Sequence, residues 1–96
     1  MSFLHQLEAI IHDRQANPVA GSYTVKMLTE GQNAIAQKVG EEAVEVIVAA
    51  LGQTDERLIS ESADLLYMLL LLLAKKGLTL ADIEAELQRR HTPRSE

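Results

Sequence analysis

The sequence predicts an all-α protein, a helical bundle of about five helices organised around a long antiparallel central hairpin. Three observations carry that expectation. Apolar residues recur at three- and four-residue intervals through most of the 96 positions, the period of a helix with one buried side. Capping residues and glycines punctuate these stretches at helix-like lengths. No alternation of apolar and polar residues marks a strand, and no internal repeat or low-complexity segment interrupts the pattern.

In the first element Phe3, Leu4, Leu7, Ile10 and Ile11 share a helix face from about Ser2 to Arg14. This helix is expected to stop before ANPVAG, residues 16–21, where Asn17 precedes a proline and is driven out of the helical region. Ser22 then caps a short second helix, YTVKMLTE, closed by Gly31, which lacks the Cβ that disfavours a left-handed C-terminal residue. A third helix runs from about Asn33 to Leu51. Thr54 is the next N-cap, and Asp55 and Glu56 follow it where acids complement the positive end of the helix dipole. The fourth helix is expected to reach Lys76 before Gly77 ends it. Thr79 and Asp82 resemble a capping box for a fifth helix to about Arg90, with Asp a shorter partner than the usual Glu or Gln. The HTPRSE tail, residues 91–96, is expected to fray.

The third and fourth helices are expected to be roughly 28 and 33 Å long at about 1.5 Å per residue. The short GQTD connection makes them an antiparallel hairpin. The second half of the fourth helix, LLYMLLLLLA, is apolar on every side and implies contact all round. A chain this short buries a modest core by itself. A homodimer with a helical-bundle interface is the expected solution.

Length fixes one domain, residues 1–96. The net charge of −5 argues against a nucleic-acid surface built on phosphate neutralisation and makes a metal cation the more natural partner. There is no cysteine, so neither disulfides nor thiolate metal sites are available. The start, MSFLHQLEAIIHDR, lacks the basic segment and apolar core of a signal peptide. The apolar run at 65–74 falls short of the roughly 20 residues that cross a bilayer. A cytoplasmic protein with no membrane partner is expected.

The informative feature is acidic. In GEEAVEVIVAA, residues 40–50, Glu41 and Glu45 lie about 40° apart around the helix and Glu42 and Glu45 about 60° apart, so all three crowd one side. Like charges at these spacings repel by a few tenths of a kcal/mol per pair, and Lys38 is the nearby compensation. In the fourth helix Glu61 and Asp64 sit three apart on one face. Arg57 can pair with Glu61, whereas Asp64 has only Ser60 and Met68 four residues away. An unpaired charge beside apolar residues is strongly unfavourable. Each acid taken alone is most simply a solvated surface group. Taken together, an ExxE on one helix and an ExxD on its antiparallel neighbour could direct four carboxylates into one crevice, the hard oxygen set that Mg²⁺ takes.

The strings SYTVKMLTEG (22–31), AQKVGEEAVEVIVAA (36–50) and SESADLLYMLLLLL (60–73) resemble the phosphoribosyl-ATP pyrophosphohydrolase family, which acts in the second step of histidine biosynthesis. The likeness spans nearly the whole chain and places it among the all-α nucleoside triphosphate pyrophosphatases, the MazG-like group, whose signature is an ExxE followed by an ExxD that binds Mg²⁺. The resemblance implies that Glu42, Glu45, Glu61 and Asp64 are metal ligands. Glu41 is then the extra acid of the motif, a supporting residue, a ligand of another ion or the general base, a role Glu45 could also fill. One position departs from the family: Met68 stands where histidine usually follows the tyrosine. A proton-shuttling or phosphate-contacting role there is closed to this chain, while the metal site is unaffected.

The implied reaction is hydrolysis of 1-(5-phosphoribosyl)-ATP to 1-(5-phosphoribosyl)-AMP and pyrophosphate, with water attacking the α-phosphorus. Lys38 and Lys26 are candidates for phosphate contacts, and a solvated lysine with Lys38 pairing Glu42 explains them equally well. Ser22 and Tyr23 are candidates to touch substrate, although capping alone accounts for Ser22. Tyr67, flanked by leucines, reads as core. His5, His12 and His91 read as surface groups. Two alternatives stand beside this reading: a related pyrophosphatase acting on ordinary or damaged nucleoside triphosphates, and a non-catalytic helical oligomer with exposed acids.

Overall fold

The computed structural model describes residues 2–91. Those residues form α1 (Phe3–Ala16), α2 (Tyr23–Glu30), α3 (Gln32–Gly52), α4 (Asp55–Lys75) and α5 (Leu80–Arg90), with no strand among them. The architecture is an all-α bundle built on the α3–α4 hairpin.

Local chemistry sets the helix ends. The Ser22 side chain accepts from the Val25 amide, and the Thr54 side chain from that of Arg57. Thr79 and Asp82 make both halves of the capping box, so the shorter aspartate reaches. α1 runs two residues past its expected end, through Gln15 and Ala16, and yields at Asn17 before the proline. Gly31 joins α2 to α3 at φ 100°, a conformation that side chains with a Cβ rarely adopt. The end of the tail, residues 92–96, lies outside the described residues; His91 closes α5 with its amide donating to the Leu87 carbonyl.

α3 and α4 are 21 residues each and make the most extensive contact in the molecule. α1 and α2 pack against the hairpin. The core joins Ile11 of α1, Met27 and Leu28 of α2, Ile35 of α3, and Met68, Leu70, Leu71 and Ala74 of α4. Leu4, Leu7, Leu72, Leu73 and Leu80 close around it. α5 is tied to α1 by two polar contacts: the Leu80 amide donates to Glu8 Oε2 at 2.7 Å, and His5 Nε2 lies 2.9 Å from Glu84 Oε1.

This arrangement relocates the apolar surface that argued for a partner. Most of the second half of α4 is covered within one chain, by α1, α2 and α3, with Leu66 left exposed. Several of the exposed apolar residues lie on the hairpin itself: Val44, Ile47, Val48 and Leu51 on α3, with Ile59 and Leu66 on α4. The α3 set has i, i+3, i+4, i+7 spacing, the signature of a helix face shaped for burial. Leu51 is 85% exposed. Among the described residues no helix is long and apolar enough to cross a membrane.

Candidate active site

Three of the acids meet where α3 faces the first half of α4. Glu61 and Asp64, three apart on α4, present to one side, and the hairpin sets Glu42 of α3 against them. One carboxylate oxygen from each lies within 4.8 Å of the others. Glu61 is the buried member, at 7% exposure, and Arg57 Nη2 lies 2.7 Å from its Oε1. Asp64 is exposed and has no hydrogen bond or ion pair among the described residues. The Glu42 carboxyl is held above the ordinary carboxylate value of 4.5, chiefly by desolvation, then by the charges of Asp64 and Glu61; Lys38 opposes the shift and Glu45 adds slightly to it.

The donor chemistry fits a hard divalent cation. Three carboxylates share one guanidinium contact, so their charge is not neutralised by the protein. Three carboxylate oxygens gathered within 4.8 Å of one another are the kind of donor set that would hold a hard divalent cation. Glu42 and Asp64 border a cleft of about 320 Å³, whose other lining residues are Tyr23, Tyr67 and Met68. That volume is at the lower end of small-molecule sites.

The other sequence-predicted residues take distinct places. Glu45 is exposed, has no hydrogen bond or ion pair among the described residues, and is not one of the three converging acids. Glu41 is exposed too, and is engaged away from them: Gln37 Nε2 donates to its Oε1 at 3.1 Å and Lys38 Nζ lies 3.9 Å from its Oε2. Of the two glutamates within its reach, Lys38 therefore pairs with Glu41, and its charge still acts on Glu42. Lys26 and Ser22 line a neighbouring groove with Gly21 and Val25, and Tyr23 borders both that groove and the acidic cleft. Met68, 3% exposed, is a core residue that also walls the cleft. His12 and His91 are exposed, whereas His5 is partly covered and paired with Glu84.

Sequence reasoning missed the second wall of the cleft. Tyr67 packs against the core as expected, yet its hydroxyl also bonds Thr24 Oγ1 of α2. Its ring stacks on Tyr23, with centroids 6.3 Å apart and planes at 30°. Residues 43 or 44 apart in sequence give no local sign of such pairing.

A profile of the family described as phosphoribosyl-ATP pyrophosphohydrolase matches residues 4–91. The chain belongs to this family. Among its relatives, a phosphoribosyl-ATP pyrophosphatase of Pyrobaculum calidifontis is 53% identical over 87 residues, covering 91% of this chain and 93% of the relative. One from Sulfurisphaera tokodaii is 54% identical over 87 residues with the same coverage. A histidine biosynthesis bifunctional protein of Bacteroides thetaiotaomicron is 48% identical over 90 residues, 94% of this chain but 44% of that protein. This phosphoribosyl-ATP pyrophosphohydrolase family member thus aligns over most of the length of the first two relatives and with less than half of the third.

Proposed function

We propose that this chain hydrolyses 1-(5-phosphoribosyl)-ATP to 1-(5-phosphoribosyl)-AMP and pyrophosphate in the second step of histidine biosynthesis, as a Mg²⁺-dependent cytoplasmic homodimer. The observation that carries the reading is the convergence of Glu42, Glu61 and Asp64 in a chain of this family.

Glu42, Glu61 and Asp64 hold the ion, and Glu45 completes the set or takes the proton from water. When bound, the ion neutralises charge on the phosphates and acidifies water. The protein's part is positioning and charge. Arg57 orients Glu61 through its 2.7 Å contact with Oε1. Water adds to the α-phosphorus as the bond to the bridging oxygen breaks; pyrophosphate leaves with that oxygen, and the proton passes to a carboxylate. Glu45 suits the role of base better than Glu41, because Glu41 is occupied by Gln37 and Lys38 and Glu45 has no such partner. Lys26, in the groove that adjoins the cleft, supplies a cation for a substrate phosphate, with Ser22 and Tyr23 beside it. Lys38 tempers the acids electrostatically.

The dimer buries the exposed stripe of α3 with Ile59 and Leu66 of α4, apolar residues that otherwise face water. The deciding assay supplies phosphoribosyl-ATP and, separately, ordinary deoxynucleoside triphosphates, with and without Mg²⁺. Phosphoribosyl-AMP and pyrophosphate from the first substrate alone are expected; faster turnover of the deoxynucleotides would favour the related pyrophosphatases instead.

A further inference from the structure

We infer that Tyr23 is the stacking surface for the substrate's purine and that Tyr67, bonded to Thr24, is the positioning residue that holds it over the cleft; the inference rests on the function proposed above. The chain has two tyrosines and no tryptophan, and both tyrosines wall the cleft that contains Glu42 and Asp64. Tyr23 is half exposed, so its ring is open to a ligand in the cleft. Its ring is backed by Tyr67 in a stacked arrangement, which leaves one side against protein and the other available.

Tyr23 is the first residue of a short helix of eight residues, and such a helix has little rigidity of its own. The hydroxyl bond between Thr24 and Tyr67 fixes that first turn to α4, one helical turn beyond Asp64. Two of the three metal ligands, Glu61 and Asp64, and the aromatic surface are thereby referenced to the same helix. A nucleotide whose α-phosphate sits at the acids has its base a few ångströms away, on the tyrosine side of the cleft. Aromatic stacking holds a base without reading its edge. An adenine substituted at N1 is more basic than adenine itself, and its cationic form gains further over an electron-rich ring.

The test is steady-state kinetics on phosphoribosyl-ATP with four variants. Tyr67→Phe and Thr24→Val each remove one hydroxyl at nearly constant volume; each is expected to raise KM roughly three- to tenfold, the range of one lost hydrogen bond, with kcat and the Mg²⁺ concentration for half-activation changed less than about twofold. Thr24→Ser is expected to restore KM. Tyr23→Leu is expected to raise KM at least about fivefold, the lower range of base stacking. An active protein whose KM is unmoved by Tyr67→Phe and Tyr23→Leu overturns this inference alone. A protein that releases no pyrophosphate overturns the proposed function, and this inference with it.

Discussion

Arg57 Nη2 lies 2.7 Å from Glu61 Oε1, and the carboxylate it holds is 7% exposed. Arg57 itself is half exposed, at 53% for the side chain, so the pair is worth less than a fully buried one. Arg57→Met is expected to destabilise the metal-free protein by about 1–2 kcal/mol, because the buried Glu61 loses its hydrogen-bond partner. Added Mg²⁺ is expected to raise the Tm of this variant more than that of the unsubstituted protein. Thermal denaturation with and without the ion checks both statements.

Glu42 has a folded-state pKa above its ordinary value of 4.5, so the folded protein takes up a proton there more readily than the unfolded chain. The associated stability is fully present below about 4.5 and is lost as pH rises through the raised pKa. Glu42→Gln removes the repulsion with Asp64 and Glu61. In the absence of divalent ions this variant is expected to melt about 2–3 °C higher than the unsubstituted protein at neutral pH, from the size of like-charge repulsion between helix neighbours. The gain is expected to vanish near pH 4. Melting curves across that pH range read the sign directly.

Met68 is 3% exposed and lies between the core and the cleft. Met68→Ala is expected to cost about 2–4 kcal/mol through the cavity it leaves, whereas Met68→Leu conserves volume and is expected to cost less than about 1.5 kcal/mol. Denaturant unfolding separates the two. A side chain without a titrating group moves no proton, so the leucine variant is expected to keep the pH profile of pyrophosphate release.

The exposed stripe of Val44, Ile47, Val48 and Leu51 predicts a dimer that charge can split. Ile47→Glu combined with Leu51→Glu is expected to give a monomer in sedimentation velocity at concentrations where the unsubstituted protein is a dimer. Both positions are exposed within one chain, so the monomer's own core is unaffected.

What the sequence made legible follows the range of the forces involved. The caps at Ser22, Thr54 and Thr79 are contacts over three residues, and each was readable as a local pattern. Glu61 and Asp64 share a face by helix period alone, and the short hairpin connection made Glu42 their neighbour. Helical wheels do not say which edge of α3 turns inward, so they do not separate Glu42, which joins the group, from Glu45, which is not among the three converging acids. The apolar second half of α4 was read as buried and is largely covered, but the cover comes from α1, α2 and α3 of the same chain. The link between Thr24 and Tyr67 crosses 43 positions and left no trace in periodicity.

The central claim is that Glu42, Glu61 and Asp64 act together as one divalent-ion site. Mn²⁺ binding followed by electron paramagnetic resonance tests it most directly, using the unsubstituted protein, Glu42→Gln, Glu61→Gln, Asp64→Asn and Glu41→Gln. The account predicts that affinity falls at least about tenfold in each of the first three variants, in line with loss of a ligand or its immediate support, and changes little in Glu41→Gln. Equal Mn²⁺ affinity across all five proteins would contradict it.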